Sequence, residues 1–260
     1  MTSTKLVISI ITVCKNSAAY IAETIQSVFI QTYPHIEYII IDGQSTDGTL
    51  DIISQYKTRI SHLLSEPDNG MYDAINKGLS KATGDYFMVL NSDDVLVQSN
   101  TIEQVSNAIG KERKDWYYGD MIKLKNGKKK NVKLFQVTFK QLLLSTHSTF
   151  APHPCFFCSR LLHHKLGGYN LEYRFASDYD YILRALSKSH NHGSHLDIYI
   201  TQFRMHEKSI TASGKITKER VEILREHGYY EYSVLTRKFF YYILWIYYKI
   251  LNIGNRFRRG

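Results

Sequence analysis

The sequence predicts an α/β fold organised around a parallel sheet, and three observations predict it. Apolar, β-branched runs alternate with amphipathic segments through the first hundred residues, the order of strands and covering helices in such a sheet. Tyr86–Leu90 is apolar or aromatic throughout, which reads as a strand buried on both faces, and it stops abruptly on Asn91-Ser92-Asp93-Asp94. Later, Asn126-Gly127 joins two strand-like runs as a tight hairpin turn, so the second half of the sheet is mixed.

The elements follow in order. Leu6–Val13 predicts the first strand. After Asn16-Ser17, the residues Ile21, Ile25, Val28 and Phe29 recur at helical spacing, and Thr32-Tyr33-Pro34 ends that helix. Glu37–Asp42 is a second buried strand, and Gly43–Gly48 turns into a helix reaching about Tyr56. Leu63–Ser65 is a short strand, Glu66–Gly70 a loop, and Met71–Ala82 a helix closed by Gly84. Beyond the acidic pair, strands are expected over Trp116–Lys125, Lys128–Phe135, Pro152–Cys158 and Leu196–Phe203, the last at an edge. Helices are expected over Phe139–Leu144, Arg160–Leu166 and Ser177–Ser187. The body spans 1–214, and an appendage of two helices, Lys215–Tyr232 and Val234–Ile253, spans 215–260.

Composition narrows the function. A chain of 260 residues, 43% apolar, builds one globular body with an appendage. The net charge of +9, concentrated in two places, favours an anionic partner. Six lysines (123, 125, 128, 129, 130, 133) fall in the predicted hairpin. Three cysteines and no apolar export segment after Met1 point to a reducing cytoplasm. Cys155 and Cys158 lack the second pair a zinc site needs and read as apolar filler.

Two adjacent carboxylates inside an apolar pattern repel and resist desolvation unless a cation sits beside them. Asp93 and Asp94, at the carboxyl end of a buried strand, therefore read as ligands of a divalent metal with oxygen donors. The alternative is an acidic cap for a helix beginning near Ser99. The neighbouring strand ends carry Thr12, Asn16 and Asp42, which converge on the same crevice and suit a nucleoside diphosphate. Asp42 would accept from a base N–H or a ribose hydroxyl, and the metal would bridge the diphosphate; Asp42 as a turn residue is the alternative. No Walker loop and no glycine-rich dinucleotide fingerprint is present.

Several runs together resemble family 2 glycosyltransferases: Ser9–Asn16 (SIITVCKN), Ser27–Tyr33 (SVFIQTY) and Glu37–Thr49 (EYIIIDGQSTDGT). Glu66–Gly78 (EPDNGMYDAINKG) is similar to the branch that works on bacterial surface polysaccharides. The resemblance covers about residues 5–210 and implies a GT-A fold, a nucleotide-sugar donor and Mn²⁺ or Mg²⁺ held by Asp93 and Asp94. Asn91 stands where the family often has the first Asp of its metal motif, and Ile75 stands where many relatives carry Arg; Lys77 would supply that charge near the diphosphate. Arg174–Arg184 (RFASDYDYILR) resembles the family's catalytic segment, with Ser177 in place of Glu and Asp178 at the base position. Asp178 would take the acceptor hydroxyl's proton in an inverting transfer; its alternative is a helix cap. His206 resembles a C-terminal His that contacts metal or diphosphate, the alternative being an exposed loop His. Gly168 resembles a glycine that lets the backbone approach the donor sugar. His153 lines the acceptor side or is a buried structural His.

Phe239–Tyr248 is apolar around the whole helix but short of the roughly 20 residues that span a bilayer. With Arg237, Lys238, Lys249, Arg256, Arg258 and Arg259 around it, it suits a helix lying in the headgroup region; packing on the body is the alternative. The expectation is an inverting enzyme at the cytoplasmic face of a bacterial inner membrane. It moves glucose or galactose from UDP to an N-acetylhexosamine on a polyprenyl-diphosphate carrier, as in O-antigen synthesis; polymer or protein acceptors are the nearer alternative. The competing class, a basic module binding nucleic acid or lipid, is disfavoured because the aromatics are not interleaved with the lysines. No nucleic-acid partner is expected, and the oligomeric state stays open.

Overall fold

Ile8–Cys14 (β1) is buried along its whole length and runs through the interior of a sheet that has ten strands among the described residues. It pairs in parallel with Ile36–Asp42 (β2) on one side and Tyr86–Val89 (β4) on the other, and β2 pairs in parallel with His62–Ser65 (β3). The helices Ile21–Phe29 (α1), Thr49–Ser54 (α2) and Met71–Lys81 (α3) connect these strands. Burial on both faces explains why β1, β2 and β4 read as unbroken apolar runs. In α1 the buried positions Ile21, Ile25 and Val28 form the stripe that the sequence shows. The computed structural model describes residues 5–146, 150–190, 192–205, 216–253 and 258–259.

Past β4 the sheet is mixed. Phe156–Ser159 (β8) is antiparallel to both β4 and Trp116–Lys125 (β6). Lys128–Val132 (β7) returns along β6 through Asn126-Gly127, both at positive φ (50° and 71°), as the tight turn requires. Gly193–Met205 (β9) lies parallel to β6 along its length, with register shifts about Asp120. Among the described residues only Val95–Leu96 (β5) covers its other side, so the expected edge strand is covered there for two residues.

Two expected strands are shortened for identifiable reasons. β7 ends at Val132 because the next amides leave the ladder: Lys133 N donates to Asn252 Oδ1 (2.9 Å) and Leu134 N to Asp120 Oδ1 (2.8 Å). β8 starts at Phe156 because His153–Cys155, flanked and interrupted by prolines that cannot donate, forms a 3-10 turn. The helices Thr101–Lys111 (α4), Phe139–Ser145 (α5), Arg160–Leu166 (α6) and Ser177–Lys188 (α7) flank this half.

Ile216–Glu226 (α8) and Val234–Leu251 (α9) pack on the body. α9 buries Leu244, with Phe240 and Tyr248 partly buried at the same four-residue spacing. Tyr247 meets Phe135 edge-on (4.8 Å between centroids) and Tyr248 lies against Phe150 (5.6 Å). Asn252 bonds both the N–H and the C=O of Lys133 (2.9 Å each), tying the end of α9 to the base of the hairpin. The other side of α9 exposes Leu235, Phe239, Tyr242, Ile246, Ile250 and, just beyond its end, Ile253. Among the described residues no helix is long and apolar enough to cross a membrane.

Candidate active site

A cavity of about 1460 Å³ opens at the carboxyl ends of the parallel strands. The loops after β1 and β2 are stitched together at its floor. Asn16 adopts a left-handed conformation (φ 51°) that Asn tolerates better than most residues. Its Oδ1 accepts from Thr46 N (2.9 Å), while its own N–H donates to Ser45 Oγ (2.8 Å). Asn16 and Lys15 line the cavity.

Asp42 and Thr12 lie beneath it. The Asp42 carboxylate is fully buried and accepts from Ser45 N (3.0 Å), Ser45 Oγ (2.5 Å) and Ser65 Oγ (2.7 Å). Thr12 Oγ1 accepts from the Tyr38 hydroxyl (3.2 Å). Neither lines the cavity, so the direct donor contacts expected of them are not what this geometry offers. The carboxylate that does reach the cavity here is Asp68. Its Oδ2 lies 2.0 Å from where a Cβ on Gly43 would stand, so a side chain there would push this carboxylate aside. Its Oδ1 accepts from Gly70 N (2.9 Å) and fixes the loop. The sequence signal for Asp68 was its position just past a parallel strand, the same rule that singled out Asp42.

The acidic pair divides. Asp93 lines the cavity, whereas Asp94 is fully buried. Asp94 Oδ1 accepts from Arg204 N (2.9 Å) at the end of β9, and Oδ2 accepts from Asn91 Nδ2 (3.1 Å). Burial and the neighbouring Asp93 push the Asp94 carboxyl well above the usual carboxylate range, against the pull of those donors. Arg204, not anticipated from sequence, also bonds the Asp93 carbonyl (3.1 Å) and Glu23 (2.6 Å) and lies on the Tyr20 ring. His206 lies outside the described residues.

Asp178 also lines the cavity, as the second residue of α7. Its Oδ1 accepts from the Tyr72 hydroxyl (3.0 Å) and Tyr179 N (2.8 Å), and Oδ2 has no hydrogen bond among the described residues. Tyr72 stacks on Tyr169, which stacks on Tyr181. The Tyr169 hydroxyl pairs with His153 Nε2 (2.7 Å), so the buried His153, at the cavity wall, has that nitrogen engaged by the protein. Burial pushes the His153 imidazole down despite Asp178. Asp180 points elsewhere, to Arg184 (2.8 Å) and His227 (2.9 Å). The loop before α7 is held from α8: Glu219 accepts from the amides of Arg174, Phe175 and Ala176 (2.9, 2.7 and 2.9 Å).

Two further expected contacts lie off the cavity wall. Lys77 Nζ bonds Pro67 O (2.7 Å) and Glu66 (2.8 Å), so its charge is used to brace the Asp68 loop. Gly168 packs on Asn76, whose Oδ1 would sit 2.6 Å from an added Cβ. Cys155 and Cys158 are free and fully buried, and burial pushes both thiols up to about 12, as suits apolar filler. Among the described residues no three His, Cys, Asp or Glu side chains cluster as a metal cage. Asp93, with Asn91 beside it, offers oxygen donors only. That set fits a hard cation that draws its other ligands from phosphates and water.

A parallel half with its strand ends around one cavity, continued by a mixed half, defines this as a GT-A fold. Among solved structures, S. aureus TarS residues 1–349 in complex with UDP-GlcNAc superposes with a TM-score of 0.71 at 20% identity, over 86% of this chain and 66% of that one. The mannosyltransferase PcManGT from Pyrobaculum calidifontis, in complex with GDP-Man and Mn²⁺, gives 0.61 at 17% identity, over 86% and 64%. This chain thus spans just under two thirds of those structures.

Residues 9–167 match Glycosyl transferase family 2. A PGL/p-HBAD biosynthesis glycosyltransferase of Mycobacterium bovis is 33% identical over 185 residues, 69% of either chain. The putative teichuronic acid biosynthesis glycosyltransferase TuaG of Bacillus subtilis is 44% identical over 97 residues, 36% of this chain and 38% of TuaG. The chain belongs to glycosyl transferase family 2.

Proposed function

We propose that this chain transfers a hexose from a UDP-sugar to a lipid-linked sugar with inversion, using Asp178 as the base and Asp93 to hold a divalent metal. One observation carries the reading: Asp93 and Asp178, far apart in sequence, line a single cavity in a family 2 fold. The nucleoside would rest on Lys15, Asn16 and Asp68. Thr12, Asp42 and Lys77 would act from behind, by fixing Tyr38, Ser45 and the loop that carries Asp68. Asn91 would support the metal side, His206 would contact metal or diphosphate, and Gly168 would shape the donor-sugar end.

Mn²⁺ or Mg²⁺ held by Asp93 and the donor's diphosphate would stabilise the charge that develops on departing UDP. Asp178 Oδ2 would accept the acceptor hydroxyl's proton as that oxygen bonds to the anomeric carbon and the bond to the diphosphate breaks. Tyr72, donating to Oδ1, would fix the carboxylate's orientation.

TarS bound to UDP-GlcNAc supports a UDP donor, and PcManGT bound to GDP-Man marks the rival base. Relatives named for PGL and teichuronic acid synthesis support a cell-surface glycan. Within that class the reading is glucose or galactose passed to an N-acetylhexosamine on a polyprenyl diphosphate, as in O-antigen assembly; the teichuronic acid relative favours a polymer acceptor as the second reading. The exposed apolar row of α9, with Lys238 and Lys249 on the same helix, would rest on the inner face of the bacterial inner membrane.

A thermal-shift panel of nucleotide sugars with Mn²⁺ tests the donor reading. UDP-hexoses should raise the melting temperature; a panel in which none does, or only GDP-sugars do, sinks it. Vesicle flotation with and without residues 234–260 tests the location, and equal flotation would remove α9 from it.

A further inference from the structure

The register of β6 on β7 sets Lys123 opposite Lys130 and Lys125 opposite Lys128. Residues two apart share a face of a strand, so all four amines project from one side of the hairpin. Like charges directly opposed across an antiparallel pair destabilise it. Lys133, at the hairpin base, shows how this fold treats a structural lysine: it bridges Asp120 (2.9 Å) and Asp197. Among the described residues Lys123, Lys125 and Lys128 have no ion pair and no side-chain hydrogen bond.

Position gives the lysine face its meaning. Lys123 is half-buried and lines the cavity together with Met121, Asn126, Phe203 and Arg204. That wall comes from β6, β9 and the hairpin turn, and Arg204 joins it to the loop after β4 through the Asp93 carbonyl (3.1 Å). Burial and the Lys130 charge both push the Lys123 ammonium below its ordinary range, with no carboxylate opposing them. Asn252 fastens the hairpin base to the end of α9, so an exposed apolar helix face and the lysine face belong to one packed unit.

We propose that the Lys123–Lys130 and Lys125–Lys128 face is an anion subsite on the β6–β9 wall of the cavity, taking the phosphate or diphosphate of the acceptor. It rests on reading the cavity as a transferase site and adds the side chains that would hold the carrier's phosphate. The lysines hold that group while the acceptor sugar reaches toward Asp178.

Farnesyl diphosphate is the probe, titrated by calorimetry into protein saturated with UDP so that the donor site is filled. Lys123→Gln should weaken its binding about tenfold or more, the loss of one charge-assisted hydrogen bond. Lys129→Gln removes the same charge from the opposite face of the hairpin, where Lys129 pairs with Leu124, and should change binding less than twofold. UDP affinity should be unchanged in both variants, and Lys123→Gln should not lower the melting temperature, because it relieves the repulsion from Lys130.

Equal losses in the two variants would reduce the lysines to a general surface field and overturn the proposal, as would no binding of farnesyl diphosphate to the wild type. A third arm uses vesicles of phosphatidylglycerol and phosphatidylcholine. If Lys123→Gln loses vesicle binding but keeps farnesyl diphosphate, the lysines read the bilayer and the acceptor subsite falls. Failure of the wild type to bind UDP would count against the transferase reading alone, since the comparison of the two lysine variants still reports on the hairpin.

Discussion

The two ends of the cavity are built on different principles. At the donor end the carboxylates that do not reach the cavity are saturated: Asp42 by Ser45 and Ser65, and Asp47 by Ala18 and Thr49. Parallel strands deliver these loops, and the next loop along the sheet braces each one. At the other end single long-range contacts do the holding. Glu219 satisfies three amides before Asp178, and Asn252 and Asp120 close the hairpin base. A floor secured by the sheet ladder suits a common nucleotide, whereas a wall secured by a few side chains can change acceptor without disturbing the core.

The largest expected effect is at Asp178. Asp178→Asn should lower transfer by about a thousandfold, within the range for a general base, while UDP affinity stays within about twofold. Retained activity in a radiolabelled transfer assay would take the base away from this wall.

Asp93→Ala should follow, abolishing the Mn²⁺-dependent part of UDP binding, about tenfold or more. Identical calorimetry of the wild type with and without Mn²⁺ would remove the metal from the donor end.

Glu219→Gln probes the acceptor end without touching substrate. Weakening three charge-assisted bonds should destabilise the fold by about 2 kcal/mol and lower kcat roughly tenfold with UDP affinity unchanged. A loss confined to UDP binding would erase the contrast between the two ends.

The smallest effect concerns pH. Burial, with His164 and Arg184 nearby, pushes the His163 imidazole down to about 4. A histidine with a depressed folded value takes up its proton more readily in the unfolded chain. Its stabilising contribution is therefore intact above about pH 6.5 and is lost as pH falls toward 4. The melting temperature should decline across that window, and His163→Asn should flatten the decline; an unchanged slope would show that other groups set it.

The parallel strands, the hairpin turn at Asn126-Gly127 and most helices were legible in the sequence, because burial on both faces and positive-φ turns leave local patterns. Asp93 and Asp178 were legible as cavity residues for a related reason: each sits at the end of an element whose direction the pattern fixes. The division of labour within Asp93-Asp94 was not. Adjacent carboxylates look alike in sequence, and only the arrival of Arg204 from β9 turns Asp94 inward. The exchange of roles between Asp42 and Asp68 was hidden likewise, since it depends on Ser65 closing over one and on the bare Cα of Gly43 admitting the other.

Residue order alone therefore determined the parallel strands, the loops they lead into and the family, because those follow from local periodicity and from which residues stop each run. The tertiary structure decided which carboxylates face the cavity, what holds Asp178 and that Lys123 lines the wall built on β6. Side-chain direction and charge neutralisation depend on partners that arrive from tens to hundreds of residues away.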